Sequence, residues 1–203
     1  MHIEFLLEEP SAEALLEGLL PRMLPVETTW KLHGFQGKDD LLKNLASRLK
    51  GYKHWLPADW RIAVLIDEDR ENCHVLKSKL EAAAKVAELP TRSSVKRGAR
   101  FSVLNRIAIE ELEAWFFGDP EALAAAYPGV PPTLGAKAKY RQPDAITGGT
   151  WEALERVLQR AGHFVGGLAK IELAREMGLR MQPEKNTSRS FQAFAAGIAL
   201  LEE

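Results

Sequence analysis

The 203-residue chain carries 27 basic and 28 acidic residues, a net charge of −1, and 46% hydrophobic residues. This is ordinary globular composition, enough for one generous domain or a core domain with an extension, and too evenly charged to mark a nucleic-acid surface by itself. The single cysteine, Cys73, excludes an internal disulfide framework and a cysteine zinc site, and fits a reducing cytoplasm.

The opening MHIEFLLEEP has no basic n-region, so no signal peptide is expected. No apolar run approaches the ~18 residues of a membrane span, so no membrane partner is expected either. Ile3, Phe5 and Leu7 alternate and predict a first strand, with Glu8 and Glu9 at its end. A helix follows, with Ser11 as its expected N-cap and Leu15, Leu16, Leu19 and Leu20 at helical spacing. Residues 28–35 alternate weakly and read as a second strand, broken at Gly37. The next helix carries the stripe Leu41, Leu42, Leu45 and Leu49.

RIAVLID, residues 61–67, is a continuous apolar run, the mark of a strand buried on both faces of a parallel sheet. A helix over about residues 70–89 follows. Residues 101–109 then form a strand expected to feed directly into the helix EELEAWFFGD. Strand and helix alternate to residue 118, so the spacing predicts an α/β domain over 1–118 with a mostly parallel sheet and helices on both faces. Residues 119–203 read as a helical extension packed on it, with helices near 150–162, 167–178 and 188–202.

In an open parallel sheet, ligands bind beyond the C-terminal strand ends. Glu8 and Glu9 lie at one such end, and Asp67 and Asp69 at another. Two residues apart in an extended segment, Asp67 and Asp69 would leave on the same side. Convergent carboxylates suit a hard cation such as Mg²⁺, which keeps waters for a phosphate to displace. The plainer alternative makes Asp69 a cap for the helix after it. Glu113 borders the apolar arc of the helix after the fourth strand and needs a partner there, either a metal or an arginine such as Arg106.

Lys38, after Gly37 at a helix start, is a candidate phosphate contact or a solvated lysine. Basic runs next to aromatics supply further nucleic-acid candidates: Arg97 with Arg92, Lys96 and Arg100; Lys137 and Lys139 beside Tyr140; Arg189 beside Phe191. The histidines show no metal-ligand spacing, and His33 and His163 read as structural.

LLEEPSAEALLEGLL resembles the first TOPRIM motif, a strand ending in a glutamate before a turn and helix, and VLIDEDREN resembles the second, an Asp-x-Asp after a later strand. More narrowly, FQGKDDLL, NRIAIEELEAWFFGD, KAKY, GGTWEAL and NTSRSFQAF resemble the bacterial family called domain of unknown function 4276. The TOPRIM resemblance implies a Rossmann-like sheet, Mg²⁺ or Mn²⁺ held by Asp67 and Asp69, and Glu8 in acid–base or metal work. Many members have glycine after the motif glutamate where this chain has Glu9, which leaves Glu8 against Glu9 open. The function implied is a metal-dependent nuclease or other phosphodiester hydrolase, in phage defence with an ATPase partner. The alternative is a non-catalytic TOPRIM-like module that docks on such a system.

Overall fold

The computed structural model describes residues 1–202. Its centre is a four-stranded sheet of β1 (His2–Leu7), β2 (Thr29–Gly34), β3 (Trp60–Asp67) and β4 (Val103–Ala108). The order is β2-β1-β3-β4, and every pairing is parallel. The chain steps from β1 to β2 on one side, then crosses back to lay β3 on the other side of β1. The direction of winding therefore reverses between β1 and β3, and the crevice beyond their C-terminal ends is the expected ligand site of such a fold. The structure is the α/β, Rossmann-like arrangement that the alternation of elements predicts.

The period-two pattern of the strands divides the core into two layers. Ile3, Phe5 and Leu7 of β1 and Ala63 and Leu65 of β3 face one hydrophobic cluster. Leu6 of β1 and Ile62, Val64 and Ile66 of β3 face the other. The second layer is covered by α2 (Lys38–Lys53) through Leu41, Leu45 and Leu49, and by α3 (Cys73–Val86) through Leu76 and Leu80. The first layer takes α1 (Pro10–Leu19) together with the C-terminal helices.

Those C-terminal elements are α4 (Glu113–Phe117), α5 (Pro120–Ala126), α6 (Thr150–Arg160), α7 (Lys170–Arg180) and α8 (Arg189–Ala199). They share one hydrophobic cluster with α1 and the sheet. Trp115 is fully buried there, its indole N–H donating to Ser190 Oγ at 2.8 Å. Asp144 accepts from the Ser188 and Ser190 hydroxyls at 2.7 and 2.8 Å and so ties the preceding loop to the start of α8. Ser188 caps α8, its side chain accepting from the Phe191 N–H.

Three local expectations need correction. Ser11 is not the cap of α1; Glu9 holds that position, Pro10 is the first helical residue, and the Ser11 hydroxyl donates to Glu9. The cap of α3 is Asn72, which accepts from the His74 and Val75 N–H groups, so Asp69 plays no such part. β4 does not run straight into a helix: the chain bends over residues 109–112, with Glu110 left-handed at φ 60°, before α4 begins.

Candidate functional site

The C-terminal ends of β1 and β3 carry the first two acids. The Glu8 N–H still pairs with the Leu65 carbonyl at 3.2 Å, and its carboxylate Oε2 accepts the backbone N–H of Asp67 at 2.9 Å. Glu8 is thereby fixed across the switch point. Asp67, the last residue of β3, is only 8% exposed. Its Oδ2 accepts the Leu112 N–H at 3.2 Å, which fastens the bend before α4 to the strand end. Glu113, one residue later, is 2% exposed, and its Oε2 has no hydrogen-bond partner among the described residues.

Asp67 and Glu113, both buried, and the half-buried Glu8 all resist ionisation. Burial raises Asp67 far above the ordinary carboxylate range, with Glu8, Glu113 and Glu9 adding to the effect. Glu8 is raised to about 7, again by burial first, against the opposing pull of the Asp67 N–H and Lys38. Glu113 is raised to about 7 by burial, only partly offset by Lys170.

Two ammonium groups attend the rim. Lys38, on the first turn of α2, donates to the Glu68 carbonyl at 2.9 Å and pairs with Asp69 at 2.7 Å. Lys170, on the first turn of α7, stands 3.5 Å from Glu113 Oε1 and over the Trp151 ring at 5.6 Å. Burial works to lower Lys170, yet Glu113, Glu9, Glu111 and Asp67 together hold it above its ordinary value.

The next acids outward act as struts. Glu68 accepts from the Cys73 N–H at 3.0 Å and the Glu110 N–H at 3.2 Å, joining the start of α3 to the bend after β4. Glu111 accepts the Thr150 and Trp151 N–H groups at 3.1 and 2.9 Å, where an anion at the N-terminus of α6 is favoured. A cleft of about 770 Å³ opens beside the rim between Lys38, Asp69, Glu110, Glu111 and Trp151.

Residues 7–199 match the family model described as Domain of unknown function (DUF4276). The chain belongs to that family. No curated protein and no solved structure matches it.

In this DUF4276 chain, Glu8, Glu9, Asp67 and Glu113 lie close enough to shift one another or Lys170. Asp69 departs from expectation. The strand has ended, its backbone is left-handed at φ 52°, and its carboxylate turns outward to Lys38 instead of leaving beside Asp67. As the side chains stand, no group of three or more His, Cys, Asp or Glu among the described residues forms a ready metal site. Arg106 is not the partner of Glu113: its guanidinium donates to the Ala193 carbonyl of α8 at 2.9 Å. The partner is Lys170, which carries no local sequence signal because it arrives from a distant helix.

The basic candidates scatter. Arg97 lies in a separate arginine-lined cavity. Lys137 and Lys139 are exposed around a pocket with Tyr140 and Arg160, Lys139 over the Tyr140 ring at 5.6 Å. Arg189 is exposed on the first turn of α8.

A pH dependence of stability follows from the rim. Glu8 and Glu113 lie near 7 in the fold against 4.5 ordinarily. Their contribution to stability is therefore complete below pH 4.5 and is lost as pH rises through about 7, with Asp67 acting in the same direction. Glu4, buried in β1, behaves oppositely. Burial would raise it, but hydrogen bonds from His33, Tyr52 and His2 hold it below 4.5, so its contribution is lost in acid. In EDTA the melting temperature should fall between about pH 5 and pH 8. A flat profile there would remove the buried-acid description of the rim.

Proposed function

We propose that this protein is a TOPRIM-like, Mg²⁺- or Mn²⁺-dependent phosphodiester hydrolase acting on nucleic acid. The observation that carries the reading is the gathering of buried Asp67 and Glu113 with half-buried Glu8 at the switch-point end of the sheet, Glu8 and Glu113 held near 7. Desolvated like charges cost stability, and an all-oxygen donor set with an unpartnered Glu113 oxygen is chemistry that a hard divalent ion satisfies.

Asp67 and Glu8 would be the inner ligands, with Glu113, Glu9 and Asp69 completing the set once Lys170 and Lys38 release their partners. The chemistry that a divalent ion held by these residues would supply is polarisation of a phosphoryl oxygen and activation of water. Without metal Glu8 exchanges a proton near neutral pH, so an ion bound there would displace that proton. Lys38, freed from Asp69, would contact the substrate phosphate at the start of α2. A role in phage defence beside an ATPase partner rests on the TOPRIM resemblance alone.

The test is cleavage of single- and double-stranded DNA and RNA with Mg²⁺ or Mn²⁺, compared with EDTA. Metal-dependent cutting that is lost in Glu8→Gln supports the reading; cutting that survives Glu8→Gln excludes these residues as its site.

The ion pairs of Lys38 with Asp69 and Lys170 with Glu113 favour a second reading. In it the lysines neutralise the rim permanently, and the protein is a non-catalytic module of an ATPase-containing system. Divalent ions would then leave its melting temperature unchanged.

A further inference from the structure

The geometry points to a second anion site, at the opposite end of the sheet from the carboxylates, built to bind a polyphosphate group such as pyrophosphate or the phosphate chain of a nucleotide. Arg61, Arg92, Arg97 and Arg100 line one cavity of about 310 Å³, with Phe101 and Leu200 completing its wall. Arg61 stands near the N-terminal end of β3, and Phe101 lies just before β4. From Arg61 to Asp67 is six positions along β3, roughly 20 Å at ~3.3 Å per residue. One phosphate cannot reach both ends.

None of the four guanidiniums forms an ion pair among the described residues. Arg61 donates to the Ala58 and Trp60 carbonyls, and Arg92 lies 5.9 Å over the Phe101 ring. The cluster repels itself: burial and then Arg100 lower the pKa of Arg61, and Asp59 only opposes this. The C-terminal end of α8, next to Leu200, offers about half a negative charge at most. A single phosphate monoester brings about −1.5 to −2, well short of four positive charges, and two or three linked phosphates come closer to balance. Guanidinium forks also match phosphate oxygens in pairs.

The loop that supplies three of the arginines is anchored at both ends. Thr91 bridges to Val103, and the Arg92 N–H donates to the Val103 carbonyl at 2.9 Å. Thr91 and Ser94 exchange hydrogen bonds through their hydroxyls. Gly98, at φ 80°, supplies the left-handed turn between Arg97 and Arg100. The ends of the arginine-bearing loop are thus fixed to β4 before any ligand arrives, which reduces the backbone ordering that binding requires.

Calorimetric titration of the full chain with inorganic pyrophosphate, in EDTA so that no metal–pyrophosphate complex engages the carboxylates, tests this. Saturable one-to-one binding is expected, with orthophosphate at least about tenfold weaker. The exposed pair Arg97→Ala and Arg100→Ala should weaken pyrophosphate at least about tenfold, whereas Asp67→Asn should leave it unchanged. Binding that survives the arginine pair, or none at millimolar pyrophosphate, overturns the proposal. So does a twenty-nucleotide oligonucleotide that binds through the same arginines more tightly than pyrophosphate, which would make the patch a nucleic-acid surface.

Discussion

Asp67→Asn is expected to abolish metal-dependent cleavage and, in EDTA, to make the protein more stable. The two effects share one cause. Asp67 is a buried carboxyl whose ionisation is opposed by burial and by Glu8, Glu113 and Glu9. Asparagine has the same shape without the charge, and its side-chain oxygen can still accept the Leu112 N–H. The backbone N–H that Asp67 gives Glu8 is unaffected. Stability should rise by roughly 1–3 kcal/mol at neutral pH, because asparagine neither carries a buried charge nor needs the proton that folding imposes on Asp67. Activity should fall by about a thousandfold or more, since a metal acting as a Lewis acid supplies several kcal/mol of barrier reduction. A thermal melt and a cleavage assay on one preparation measure both. A variant that is less stable yet fully active would invert the assignment of Asp67.

The second large effect lies where two helices touch. α1 and α7 cross backbone to backbone at Gly18 and Gly178. A Cβ on Gly18 would stand 2.8 Å from the Gly178 carbonyl carbon, and one on Gly178 would stand 3.2 Å from the Leu15 carbonyl carbon and closer still to its oxygen. The obstruction is backbone, which cannot rotate away. Arg22 fastens the same crossing by donating to the Gly178 and Met181 carbonyls. Gly178→Ala should therefore destabilise by roughly 2–3 kcal/mol, although alanine is the better helix former. The melting temperature should drop by roughly 5–10 °C for a chain of this size.

Gly51 in α2 is the control, because nothing lies within 4 Å of an added Cβ there. Gly51→Ala should stabilise by about 0.5–1 kcal/mol. The crossing also bears on the rim: α7 carries Lys170, so separating α1 from α7 moves the ammonium away from Glu113. Equal effects from the two glycine variants would show that close approach is not what Gly178 provides.

Much of the fold was legible because period and burial coincide in this sheet. The alternation of Ile3, Phe5 and Leu7 and the unbroken run from Ile62 to Ile66 each predict their observed layers. The stripe Leu41, Leu45 and Leu49 seats α2 as expected. Glu8 and Asp67 could be paired from sequence because both end parallel strands, and neighbouring parallel strands bring their ends together.

What sequence reasoning missed depends on contacts between distant segments or on single backbone angles. The left-handed turn at Asp69 sends its carboxylate to Lys38, and no side-chain pattern announces it. The bend over 109–112 is fixed by the Asp67 and Glu68 carboxylates acting on the Leu112 and Glu110 N–H groups, not by its own residues. Lys170 reads locally as an ordinary solvated lysine at a helix start, and only the α1–α7 packing turns it into the counter-ion of Glu113. The run TRSSVKRGAR was plainly basic, but which end of the sheet it occupies, and that Arg61 joins it, depends on how its loop is tied to β4.

The central claim is that Glu8, Asp67 and Glu113 form one desolvated carboxylate set that accepts a divalent ion. Calorimetric titration with Mn²⁺ at pH 7, repeated in two buffers of different ionisation enthalpy, tests it most directly. Because Glu8 and Glu113 are both held near 7, they are partly protonated at that pH, so binding should be saturable and should release protons to the buffer. Asp67→Asn should abolish it. Absence of saturable binding at millimolar Mn²⁺, or binding that persists unchanged in Asp67→Asn, would contradict the account.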